Sequence, residues 1–165
     1  MIVTWVKQQL EKQDPLLHSV DVKKTLFRIN RDIRFSKDKS PYKTNFWAVL
    51  APGGTQSRFA CYYIHIQPGN HSFVGGGLYC PEPEIMKYTR DYIQEHFIDF
   101  QQLLSAPEFK ETYGSLQGRS LMRVPKGYDK DSLASPFLKM KDRYMTRPLK
   151  DSELVNSNSI QKKIS

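Results

Sequence analysis

Between Arg28 and Lys43 the chain reads Arg-Ile-Asn-Arg-Asp-Ile-Arg-Phe-Ser-Lys-Asp-Lys-Ser-Pro-Tyr-Lys, its densest run of chemistry-bearing side chains. Three guanidiniums within seven residues repel one another and lose rotamer entropy on ordering, so a folded arrangement requires acids or bound anions beside them. Read as a strand over 24–35, the segment places Arg28, Asp32 and Arg34 on one side. Asp32 then pairs with one arginine and orients it, and the other is left to grip a phosphate or carboxylate with two parallel hydrogen bonds. Lys37, Lys39 and Lys43 follow in a loop, with the Tyr42 hydroxyl directed to the same place. The expected ligand-binding set is therefore Arg28, Arg31, Arg34, Lys39 and Tyr42, with Asp32 as a proton carrier. The competing reading makes Arg28, Asp32 and Arg34 an ion-pair network that ties strand to loop, with the lysines merely solvated.

A second candidate proton carrier is His65, in line with Phe59, Cys61 and Tyr63 on an apolar segment. A neutral imidazole beside arginines is held unprotonated by like charge and serves as a general base near neutral pH. The plainer reading is a core histidine with its nitrogens satisfied. Gly75-Gly76-Gly77 inside an apolar run marks either close approach by a neighbour, such as a tyrosine of the next helix, or a small anion-binding nest. Packing is the preferred reading. No Lys-Ser or Lys-Thr pair follows, so it is not a phosphate loop. Cys61 and Cys80 have no basic neighbour in sequence and read as small hydrophobes rather than nucleophiles. His18, His71 and His96 lack ligand spacing, so no metal and no cofactor is expected.

The pattern Arg28, Arg31, Asp32, Arg34, Phe35, Asp38, Lys39 and Tyr42 resembles the signature of a family of bacterial and fungal proteins, domain of unknown function 2461. Tyr63 and His65 leading to Pro68-Gly69, the Ser72–Gly77 run with Tyr79 and Pro81, and Pro125-Lys126-Gly127-Tyr128 with Leu138-Lys139 are similar to later segments of the same family. The resemblance covers roughly 25–149. It implies no established reaction. Family members usually carry a further helical segment before the strand and continue helically past the position of Leu149, so this chain is expected to be short at both ends.

The elements that must position these residues are short. Ile2, Val3, Val6 and Leu10 recur at helical spacing, and that helix should end by Asp14-Pro15. Strands are expected over 24–35, 45–50, 58–67, 72–80, 120–124 and 144–149, with the 61–66 run apolar on both faces and therefore central. A helix should begin at Pro81-Glu82-Pro83-Glu84, with a stripe of Ile85, Tyr88, Tyr92, Ile93, His96, Phe97 and Phe100. Shorter helices are expected over 107–113 and 133–141. The predicted fold is α+β, an antiparallel sheet of five or six strands with helices packed on one face. Residues 1–149 form one domain in this reading, and 150–165 a polar tail with a helix start at Ser152.

The chain has 165 residues, a net charge of +8, 39% apolar content, and nine each of Tyr and Phe, enough for one sizeable core. No apolar run reaches the roughly 18 residues a membrane-spanning helix needs, and no signal peptide or disulfide framework is visible. A cytoplasmic protein without a membrane partner is expected. Charge is uneven. Residues 23–43 hold eight bases against two acids, 82–111 are acidic, and 119–147 are basic again. The preferred function is binding, with turnover left open, of an anionic phosphate- or carboxylate-bearing small molecule. The alternatives are a nucleic-acid-binding module using 23–43 and 119–147, and a structural domain with no active site.

Overall fold

The structure is a computed structural model describing residues 2–155. The chain forms two compact units, one of residues 2–57, 61–75 and 148–155, the other of 58–60 and 76–147. Its sheet has the order β1 (Phe46–Leu50), β2 (Cys61–Ile66), β3 (Ser72–Leu78), β4 (Arg143–Leu149). Helices α1 (Ile2–Leu10), α2 (Val22–Thr25), α3 (Pro83–Glu95), α4 (Phe97–Ser105), α5 (Pro107–Tyr113), α6 (Ser135–Leu138) and α7 (Asp151–Val155) complete an α+β architecture.

In the first unit β1 and β2 pair antiparallel, with Trp47 opposite His65 and Ala48 opposite Ile64. Alternation then sorts the side chains into two faces. Ala48, Leu50 and Ile64 pack with Val3 and Val6 of α1 and with Leu17 and Val20. Val49, Ala51 and Cys61 form a separate small cluster with Tyr63 on the opposite side. The expectation that β2 is apolar on both faces is met by these two clusters. Asp14 caps a tight turn at Pro15–Leu17 and also accepts from the Tyr62 hydroxyl at 3.2 Å. The turn between β2 and β3 is tied to α7, because the Gly69 and Asn70 amides donate to the Asp151 carboxylate at 2.8 and 3.1 Å. The expected helix start at Ser152 falls within α7. The remainder of the expected tail, 156–165, lies outside the described residues.

The sheet has four strands among the described residues, not the expected five or six. The segment 24–35 is not a strand. Asp21 caps α2 by accepting from the Lys23 amide at 2.9 Å, which spends residues 22–25 on a helical turn. Beyond it, Leu26 pairs with Ala48 and Asn30 with Tyr42, but the three residues between these bridges on one arm then face five on the other. The surplus interrupts the ladder. Ser120–Val124 likewise contributes a single bridge, Ser120 to Met140, because Leu121 and Met122 are exposed and bury no face.

In the second unit Ile93, Ala134 and Leu138 form a core with Phe97, Phe100, Val124, Tyr128 and Phe137. The helical stripe expected to run unbroken from Ile85 to Phe100 is divided at His96 (φ −111°, ψ 36°), and α4 starts immediately afterwards. The glycine run resolves into close backbone packing at Gly77. Its φ is +132°, and a Cβ there would overlap the Arg143 carbonyl and the Tyr144 Cα. The neighbour is thus the main chain of β4 rather than a tyrosine side chain.

Gly77→Ala is expected to lower the unfolding free energy by about 2–4 kcal/mol, combining backbone strain with overlap. Gly127→Ala supplies the contrast, since φ is +97° there but a Cβ would meet nothing within 4 Å. It should cost about 1 kcal/mol. Urea denaturation of the two variants measures the difference.

Candidate functional site

The arginine-rich segment folds as a protruding hairpin on the first unit. Phe27 donates its amide to Trp47 O at 3.1 Å, Lys43 N donates to Ile29 O at 2.8 Å and Arg31 N to Pro41 O at 2.9 Å. The tip between them is tied by side chains. Arg31 is ion-paired with Asp38 and hydrogen-bonded to Ser40 and Ser36. Asp38 also accepts from the Ser40 amide at 2.9 Å, and its carboxyl is held down at about 2, chiefly by Arg31. Asp32 takes Arg34 through Nε at 2.9 Å and Nη2 at 2.6 Å, which lowers its own pKa and raises that of the arginine. Lys39 Nζ donates to Ile33 O and Lys43 Nζ to Arg28 O, both at 2.9 Å.

Each signature residue therefore has a definite place. Arg31 with Asp38 and Arg34 with Asp32 are paired inside the hairpin, and Lys39 closes the tip on a carbonyl. Arg28 is exposed, and beyond the Lys43 bond to its carbonyl its guanidinium makes no hydrogen bond or ion pair among the described residues. Tyr42 is also exposed. The apolar residues between the arginines are not core: Phe27 and Ile29 are exposed, and Phe35 at the tip is 95% exposed, with the Arg34 guanidinium 5.9 Å from its ring centre.

His65 is set differently. It points to the face of β2 opposite the α1 core, stacked on Trp47 with ring centres 4.2 Å apart and edge-on to Phe73 at 4.7 Å. The residue is only 6% exposed, and neither ring nitrogen has a hydrogen-bond partner. Burial lowers its pKa, with a smaller contribution from His71. The expected satisfied core histidine is thus buried but unsatisfied, and its neighbours are aromatic rings rather than guanidiniums.

The second unit holds a constellation that sequence reading missed. Asp142 is fully buried and accepts from the Cys80 amide at 2.8 Å and from Arg119 through Nε at 2.5 Å and Nη2 at 2.9 Å. Arg119 Nη2 also donates to the exposed Cys80 Sγ at 2.8 Å and lies 5.7 Å from the Tyr79 ring centre. Arg119 keeps the Asp142 carboxyl down at about 2. Cys80, read from local sequence as lacking a basic partner, acquires one 39 residues away. A local clue was available in the Gly118-Arg119 pair, since Gly118 (φ +150°) lets backbone press against Asp142 O. Cys61 is buried, and burial raises its thiol pKa.

Among the described residues no group of three or more His, Cys, Asp or Glu gathers as a metal-ligand set, and no helix is long and apolar enough to cross a membrane. A family model described as conserved hypothetical protein (DUF2461) matches residues 1–165. Neither the curated proteins nor the solved structures contain a match to this chain.

The His65 environment carries a pH signature. The folded-state pKa is depressed below 6.5, so in acid the unfolded chain takes up a proton that the folded chain resists. Stability is full above about pH 6.5 and declines as pH falls below it, with a slope of at most about 1.4 kcal/mol per pH unit for one proton. His65→Phe should flatten that decline between pH 7.5 and 5.5 in denaturant titrations. An unchanged slope would assign the acid sensitivity elsewhere.

Proposed function

The chain belongs to the conserved hypothetical protein family DUF2461, a description that names no chemistry, and from its own residues we propose that it binds single-stranded nucleic acid through the hairpin spanning 26–48. The observation that carries this reading is the charge balance of the hairpin together with its exposure. Asp32 and Asp38 are consumed by Arg34 and Arg31, which leaves Arg28, Lys37, Lys39 and Lys43 without a carboxylate partner among the described residues. Those cations stand beside exposed Phe27, Phe35 and Tyr42. Interleaved cations and accessible rings suit a flexible polyanion, whose phosphates shed condensed counterions into solution as the side-chain cations replace them, while its bases stack on the aromatics.

In this reading the signature residues divide their work. Arg31–Asp38 and Asp32–Arg34 hold the tip rigid, so that less order must be imposed on binding. Arg28, Lys39 and Lys43 meet phosphates, while Phe35 and Tyr42 offer stacking surfaces. Arg34 is directed by Asp32 toward Phe35 and would clamp a stacked base from its edge. Asp32 is then an orienting group rather than a proton carrier, and His65 transfers no proton. Phe27, Ile29 and Phe35 are exposed, so the arginines between them belong to an accessible arm rather than to a strand built into the core.

A second reading, a single phosphate- or carboxylate-bearing small molecule at the same place, is favoured by the unpaired Arg28 guanidinium. The two separate by salt dependence. A strand contacting about four phosphates gives a log–log salt slope near −3. Fluorescence anisotropy with a labelled oligonucleotide should show this steep fall in affinity. Phe35→Ala should weaken binding by about 1–3 kcal/mol, and Arg28→Ala should reduce the slope by about 0.7. Retention of a mononucleotide as tightly as the oligonucleotide supports the small-molecule reading instead. Absence of binding by either at low salt returns the hairpin to a purely structural role.

A further inference from the structure

The second unit contains two guanidiniums that meet no carboxylate among the described residues. Arg143, on β4, is 5% exposed. Its Nη2 donates to Phe137 O at 3.0 Å and its Nη1 lies 3.5 Å from Met86 Sδ, a weak acceptor, while Nε is buried with no partner. Arg90, on α3, donates through Nε to Leu138 O at 2.7 Å and through Nη2 to Met140 O at 3.3 Å. Neither forms an ion pair among the described residues. The acid that follows Arg90 in sequence, Asp91, is engaged elsewhere: it pairs with Lys87 at 2.6 Å and accepts from the Tyr128 hydroxyl at 2.6 Å.

Removing a guanidinium from water without an anion costs several kcal/mol, and arginine does not escape that cost by giving up its proton. Arg90 is only partly buried, but its like charge acts on Arg143 and makes the deficit there larger. We propose that Arg143 and Arg90 form a receptor for one small oxyanion, a carboxylate or phosphate group, held by the unpartnered Arg143 Nε and a free edge of the Arg90 guanidinium. The planar fork of arginine matches two oxygens of such a group, which a lysine site would not do. Burial presses the Arg143 pKa down to about 10, with Arg90 adding to the effect, as expected of a cation whose partner is missing. Tyr128 borders the pair electrostatically, and its hydroxyl is held by Asp91, so that the acid facing this place is already hydrogen-bonded and charge-matched. The site lies in the second unit, and its existence does not depend on the hairpin of the first.

Thermal melting of the full chain with sodium phosphate, sodium acetate or sodium chloride as the added salt tests this. Wild type should gain a few degrees between about 1 and about 50 mM of the bound anion, by mass action on the folded state. Arg143→Met should abolish the gain and, without added anion, melt at or above the wild-type temperature, because it removes an unpaired buried charge. A response to acetate and phosphate assigns a carboxylate-sized site, and a response to phosphate alone assigns a phosphoryl group. A wild type no more responsive than Arg143→Met overturns the proposal, as does an anion-free variant melting well below wild type. Should that variant fail to fold, phosphorus NMR of phosphate with wild type and Arg90→Gln decides: a saturable shift weakened at least about tenfold supports the receptor, and equal affinity overturns it. Arg28→Ala must leave the response intact, which separates this site from the hairpin.

Discussion

A guanidinium remains charged at every pH a protein meets, so each arginine of this chain has to be supplied with negative charge, dipoles or water. Much of the architecture follows from how that demand is met. Arg31 and Arg34 find carboxylates within their own hairpin, Arg119 finds one buried beneath it, and Arg90 and Arg143 rely on main-chain carbonyls. Arg28 is left to solvent. The energetic consequences differ with burial. Exposed pairs at the hairpin tip contribute little to global stability and mainly define local shape. The Asp142 carboxylate, by contrast, is fully buried, and leaving it without Arg119 and the Cys80 amide would strand a charge away from water.

The same accounting shows why the hairpin protrudes. Its tip satisfies its own polar groups through Asp32, Asp38, Ser36, Ser40 and the Lys39 ammonium, and so needs no cover from the rest of the unit. A segment closed on itself in this way can expose Phe35 without unravelling. The cost is an apolar ring in water, and exposed aromatics beside cations are a surface suited to recognition rather than to packing. On the sheet behind it, the Trp47–His65–Phe73 ring group fills the face that α1 leaves uncovered in the described part of the first unit. An imidazole there trades hydrogen bonds for ring contacts, which is why it loses ground in acid.

Three of the central features were legible without coordinates. The apolar runs at 45–50 and 58–67, set around the Pro52-Gly53-Gly54 turn, announced two paired strands, and the doubly apolar 61–66 run announced a strand covered on both faces. Pro83 with Glu84 announced the start of α3, and Pro107 with Gly114 bounded α5, since proline and glycine act through local backbone geometry. The service of Asp32 to a neighbouring arginine was also visible, since that pair closes within two residues, whereas Asp38 was read as a turn former and its pairing with Arg31 came from the fold. The reading of 24–35 as a strand failed because alternation reports only that two faces are possible. Whether a ladder forms depends on a partner of matching length, and here one arm carries two residues too many.

By itself the sequence determined the local devices: caps, turns, strand alternation, the uneven charge and the arginine-carboxylate pairs a few residues apart. Tertiary structure alone decided which distant groups meet. Cys80 and Asp142 are brought to Arg119 across 39 and 23 residues, and Arg143 is buried beside Arg90 with carbonyls in place of an acid. The reason is one of range. Capping and alternation are fixed by bond geometry over a few residues, whereas burial of a charge depends on what the whole fold excludes from water, and no short window of sequence contains that information.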